Sequence, residues 1–118
     1  MEYAIKFSRE LNTFENKILK KILSLEKSTF REKIKQLKVV AYCGCEKCPT
    51  VLFGYSFEDE FLPNQNVLFD YVGKTNKNEL VGITVFGNEK IISELEFYSP
   101  DGNLEVITYP ILESIRKN

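Results

Sequence analysis

The sequence predicts an α+β fold, with two N-terminal helices packed on one face of a five- to six-stranded, mainly antiparallel sheet. Three observations carry that expectation. Apolar residues recur at helical spacing as far as Leu37. Beyond Lys38 the chain turns β-branched and aromatic, in short runs. The runs are joined by turn-forming segments too short for a crossover, so neighbours pair antiparallel and the helices gather on one side. At 118 residues the chain is expected to form one domain, 1–118. That length buries enough surface for a core without disulfides or metal.

The first helix announces itself at Asn12-Thr13-Phe14-Glu15, which has the spacing of a capping box. Behind it Phe14, Ile18, Leu19, Ile22, Leu23 and Leu25 mark one face, with Lys17, Lys20 and Lys21 largely opposite. Thr29-Phe30-Arg31-Glu32 repeats the capping pattern and opens a shorter helix with Phe30, Ile34 and Leu37 on one face. Strands are expected at 39–43, 50–55, 67–73, 79–87, 91–99 and 104–110. The polar stretch 57–66, the segment 74–78, the reversal at 87–90 and the PDGN turn at 100–103 separate them. PDGN folds the last strand back beside the one before it. Pro110 stops the ladder, and ILESIRKN reads as a short helical tail.

Net charge is −1, unevenly spread: eleven Lys/Arg against six Asp/Glu through Thr50, then five against eleven. On one reading lysines simply solvate the helices and carboxylates the strands; on the other the carboxylates form an acidic face that attracts a basic partner. The lysines fall on helix faces with no Gly/aromatic motif beside them, so no nucleic-acid partner is expected. No apolar run reaches the roughly 18 residues of a membrane span, so no membrane association is expected. The first twelve residues lack the pattern of a signal peptide, and the cytoplasm is the expected compartment.

Cys43, Cys45 and Cys48 lie in YCGCEKCPT, and the chain has no other cysteine and no histidine. A structural zinc site takes four ligands, and a fourth is not signalled here. A cysteine nucleophile normally borrows a histidine base. A thioredoxin-like C-x-x-C would be followed by a helix, whereas a strand follows. The residues therefore favour a corner between strands, with Gly44 allowing the bend and Pro49 fixing the exit. The alternative is a small regulatory protein holding zinc on the three thiols. No cofactor, no metal and no catalytic residue are expected, and the chain is read as a non-enzyme.

Carboxylates supply the candidate contact surface. In IISELEFYS the alternation puts Glu94 and Glu96 on one face, and the PDGN turn brings Glu105 near them. Like charges side by side on a sheet cost stability, which hints at a partner. Tyr98 suits such a surface, as aromatic residues anchor interfaces.

Three segments carry a family resemblance. SRELNTFENKILKKIL (8–23) resembles an R-x-L-T-x-x-E helix start, YCGCEKCPTVLF (42–53) a C-x-C-x-C-P-[ST] strand-turn-strand, and ISELEFYSPDG (92–102) an L-x-E-L-E-[VF]-Y-x-x-D-G hairpin. In that order they resemble a family of small bacterial proteins similar to the immunity partners of polymorphic or contact-dependent growth-inhibition toxins. Asn12-Thr13 shifts the helix start relative to that pattern, and Glu46-Lys47 lengthens the cysteine segment. The resemblance implies stoichiometric inhibition of a basic cognate toxin, such as a nuclease, whose active site is occluded by the acidic surface, with Glu58, Asp59, Glu60 and Asp101 joining Glu94, Glu96, Tyr98 and Glu105 as the contact residues.

Overall fold

A computed structural model describes residues 4–45, 47–62 and 65–118. The fold is α+β, and all described strand pairs are antiparallel. Strand β1 (Ala4–Arg9) leads into helix α1 (Thr13–Leu25), and a 3-10 helix follows over Thr29–Gln36. Then come β2 (Lys38–Cys43), β3 (Val51–Gly54), β4 (Asn66–Lys74), β5 (Leu80–Gly87) and β6 (Ile92–Tyr98). A 3-10 turn at Leu112–Ser114 and a two-residue strand, β7 (Arg116–Lys117), close the chain. Among the described residues the sheet has seven strands in the order β1-β2-β3-β6-β5-β4-β7.

Helix α1 forms as its sequence dictates. The Asn12 side chain accepts from the Glu15 N–H at 2.8 Å, and the Glu15 carboxylate accepts from the Asn12 N–H at 2.9 Å. Its apolar stripe meets the sheet. Ile18, Leu19, Ile22 and Leu23 pack into one cluster with Val39, Phe53, Ile83, Leu95 and Phe97. Each such fully buried aliphatic side chain contributes about 1.5–3 kcal/mol. Phe14 and Leu25, expected on this face, lie in the first and last turns and are more than half exposed. Phe14 stacks on Tyr109 instead, ring centroids 4.7 Å apart. The second helix winds as a 3-10 helix, whose three-residue repeat aligns Ile34 with Leu37, both 3% exposed. Its cap is Ser28, which accepts from the Phe30 N–H at 3.1 Å, one residue before the expected Thr29.

Three elements differ from the sequence expectation. Residues 4–9 form an edge strand, so the sheet gains β1 ahead of the helices. Residues 104–110 do not form a strand. The reason is topological: β6 lies between β3 and β5, so neither edge is open to a returning hairpin partner. The segment crosses instead to other elements, with the Ile107 N–H donating to Lys47 O at 2.7 Å and the Ile111 N–H to Lys74 O at 2.8 Å. The expected helical tail is one 3-10 turn followed by β7.

The turns follow their chemistry. Gly102 takes φ 74°, and the Asp101 carboxylate accepts from the Asn103 N–H at 3.0 Å. Asn88 accepts from the N–H groups of Lys90 and Ile91 at 2.7 and 3.0 Å. The long loop before β4 folds back over the open side of the sheet, where Phe61 packs on a small cluster of Ala4, Ala41 and Leu52. Pro63 and Asn64, expected in that loop, lie outside the described residues, as does Glu46 of the cysteine segment.

Candidate functional site

The cysteine segment is the connection between β2 and β3. Tyr42 pairs with Val51, and the Cys43 N–H donates to Thr50 O at 3.0 Å, closing the corner. The corner turns all three sulfurs inward on themselves, and they lie within 4.8 Å of one another. Cys45 and Cys48 are in direct contact at 3.1 Å. The Lys47 N–H donates to Cys45 Sγ at 3.4 Å, and the Cys48 thiol donates to Thr50 Oγ1 at 3.3 Å. Thr50 is 3% exposed and anchors the corner to the sheet. Its hydroxyl accepts from the Phe97 N–H at 2.9 Å, where the β3–β6 ladder ends, and reaches Phe97 O at 3.4 Å.

The three thiols are electrostatically unequal. Burial pushes the Cys43 thiol up to about 12 and raises Cys48 as well. At Cys45, which is exposed, partial desolvation acts upward, but the Lys47 N–H and the thiols of Cys48 and Cys43 outweigh it and hold the group below the ordinary thiol value. The corner therefore presents one accessible, easily ionised sulfur backed by two sheltered ones.

A second constellation lies on the sheet face opposite α1. Register places Asp70, Thr84 and Glu96 in one row across β4, β5 and β6. Next to it Gly82 pairs with Tyr98, and a Cβ at Gly82 would stand 2.2 Å from the Tyr98 ring. Only a glycine lets that ring lie flat across β5. The Thr84 hydroxyl reaches Asp70 at 3.5 Å, and the Asn118 amide donates to Asp70 at 3.2 Å. Burial, then the Asp70 charge, raises the Glu96 carboxyl above its ordinary value. Burial, again followed by Asp70, raises the Tyr98 phenol. A partly desolvated carboxyl and phenol held beside the exposed Asp70 carboxylate are a surface under electrostatic tension.

The eight residues singled out from the sequence are not one patch. Glu96 and Tyr98 share the row just described. Glu94 shares their face but is buried, 2% exposed, opposite Leu52 and Phe86. Glu105, expected beside them, is not there, because residues 104–110 make no hairpin with β6; it is exposed and pairs with Lys47 at 3.8 Å. Asp101 is exposed in the turn after β6. Glu58, Asp59 and Glu60 lie in the loop after β3, toward the opposite end of β6. There the Asp59 carboxylate accepts from the N–H groups of Tyr55 and Ser56 at 2.9 and 3.1 Å, an internal turn role. Glu58 accepts from the Ser56 hydroxyl, and Glu60 is exposed. Asp70, absent from the sequence-derived set, is central to the row. Its signal was the alternation in VLFDYVG, which places Asp70 on the same face as Val72.

A groove of about 790 Å³ runs between α1, the turn at 76–79 and the segment 106–113, lined by Phe14, Val106 and Tyr109 and also by Lys17, Lys77 and Glu79. Among the described residues no helix is long and apolar enough to cross a membrane. Comparison of the chain with protein-family models, curated proteins and solved structures returns no match.

Proposed function

We propose that this chain is a non-catalytic binding protein, an immunity protein that neutralises a cognate bacterial toxin by occluding its active site through an acidic surface. The observation that carries the reading is the Asp70–Thr84–Glu96 row with Tyr98 beside it. Two carboxylates flanking β5, one of them half-buried and raised first by that burial and then by the other, oppose folding on their own. A basic partner laid across the row would relieve that repulsion and gain charge-assisted hydrogen bonds at the same time. Tyr98, fixed across Gly82, offers a rigid aromatic anchor between them. Asp101 and Glu105 beyond one end of β6, and Glu58 and Glu60 beyond the other, extend a negative rim that steers association.

Inhibition of this kind needs no turnover and no cofactor, only a surface complementary to the toxin. The test is co-purification of the chain with the product of the neighbouring gene, followed by titration of that product's activity. One-to-one inhibition is expected. The double variant Asp70→Lys/Glu96→Lys should weaken binding at least 100-fold, with the unaltered far-UV circular dichroism spectrum showing that the variant folds. Tight binding that survives both charge reversals would remove the acidic face from the interface.

A further inference from the structure

We infer that Cys43, Cys45 and Cys48 form a three-thiolate site for one soft, thiophilic d10 cation, either zinc(II) or copper(I). The site is separate from the acidic face and does not depend on the proposal made for it.

Three cysteines within six residues need not bring their sulfurs together; a strand or a helix through the segment would spread them. The corner between β2 and β3 instead gathers all three within 4.8 Å. An ion bound at about 2.3 Å from each sulfur requires sulfurs about 4 Å apart. The observed spread brackets that spacing, from the 3.1 Å contact of Cys45 with Cys48 to the 4.8 Å limit. The Cys43 N–H bond to Thr50 O closes the corner on which the sulfurs are gathered.

The donor set selects the ion. All three ligands of the group are sulfurs, and among the described residues no imidazole or carboxylate oxygen joins them. Such a set suits copper(I) and zinc(II) and discriminates against magnesium and calcium, which take oxygen. Copper(I) is satisfied by three thiolates in a trigonal arrangement. Zinc(II) takes a fourth ligand, and the exposed position of Cys45 leaves the ion open to a solvent molecule on that side.

Supporting contacts are already in place. The Lys47 N–H points at Cys45 Sγ. Thr50 Oγ1 accepts from the Phe97 N–H, so its own proton can turn from Phe97 O to a Cys48 thiolate once that sulfur stops donating. Second-layer partners of this kind orient metal ligands and hold them in their ionised form. On binding, each thiol releases its proton to solvent as its sulfur takes up the ion, so affinity falls as pH falls.

The experiment uses the full, reduced chain. Zinc(II) alone and, anaerobically, copper(I) alone are titrated against a competing chelator, with stoichiometry read by native mass spectrometry. One ion per chain is expected, and the arm that survives competition identifies the metal. Cys45→Ser, at the exposed corner, should lower affinity at least about 100-fold, since even a second-layer partner is worth about 10–100-fold. Thr50→Val should lower it by a smaller factor. Three results would overturn the site: loss of both ions to the chelator, equal retention by the triple Cys→Ser variant, or a Cys45–Cys48 disulfide forming in preference to metal uptake under reducing conditions.

Discussion

Arg9 grips Glu15 with two parallel hydrogen bonds, Nη1 to Oε1 and Nη2 to Oε2, each 2.8 Å long. The pair joins the last residue of β1 to the first turn of α1, and the Glu15 side chain is wholly buried. The same carboxylate closes the capping box with the Asn12 N–H. One acidic group thus fixes the edge strand, the helix start and the bend between them. Removing the guanidinium leaves a buried carboxylate with only part of its charge compensated. Arg9→Ala is therefore expected to cost about 3 kcal/mol. Arg9→Lys should recover only part of that, because an ammonium cannot reproduce the planar two-bond geometry. Urea unfolding of both variants measures it, and an Arg9→Ala loss within about 0.5 kcal/mol of zero, the range of ordinary surface substitutions, would contradict the assignment.

Gly82 is where the open sheet face tolerates least. The Cβ of an alanine there would meet Tyr98 ring atoms at 2.2 to 2.6 Å. The ring must leave, and with it the packing over Thr84. Gly82→Ala should destabilise by about 1–3 kcal/mol, the usual range for overpacking. Because the clash is with one side chain, the cost should shrink in a Tyr98→Ala background. The coupling in the double-mutant cycle is expected to exceed about 1 kcal/mol. Additive effects would mean that backbone flexibility, and not the ring, makes glycine necessary.

Elements fixed by local signals are legible in the sequence, and those fixed by distant partners are not. The Asn12–Glu15 box, the stripe from Ile18 to Leu23, the PDGN turn and the bend at Cys43–Thr50 are decided by neighbours in the chain, and each was legible. Strand β1 was not, because AIKFSR has one buried residue, Ala4, and takes its strand conformation from the edge offered by β2. The fate of 104–110 was illegible for the same kind of reason. LEVITYP alternates well enough for a strand, but both edges of β6 are taken by elements distant in sequence. That non-local fact also decided the candidate face, since it removed Glu105 and admitted Asp70.

Thr50 links the thiol corner to the sheet, and its hydroxyl makes contacts that no apolar replacement can. Thr50→Val keeps the shape but leaves the Phe97 N–H buried without its acceptor. A loss of about 1–3 kcal/mol is expected, the desolvation cost of an unsatisfied buried group. Thr50→Ser keeps the hydroxyl and should lose less. Amide hydrogen exchange provides the local readout, with faster exchange at Phe97 in the valine variant and near-native exchange in the serine variant. Unchanged protection at Phe97 in Thr50→Val would show that another acceptor serves that amide.

Glu96 should make stability depend on pH in the direction opposite to most carboxylates. Its folded-state value is raised, first by burial and then by Asp70. Well below the ordinary carboxylate range both folded and unfolded chains carry the proton, and the group has no effect. As pH rises through that range the unfolded chain ionises first while the folded chain still holds its proton, so stability falls. The fall ends once pH passes the raised folded value, and the penalty then persists at neutral pH. Glu96→Gln is therefore expected to be more stable than the parent at pH 7, with the difference closing as pH drops through the ordinary carboxylate range. Asp70→Asn should recover part of the same gain by removing the second cause. Thermal unfolding of the three proteins across that window measures both effects, and an advantage of Glu96→Gln that grew toward low pH would reverse the sign and refute the account. The same penalty makes a basic partner stabilising at neutral pH, so any gain in melting temperature on binding should be smaller for Glu96→Gln than for the parent chain.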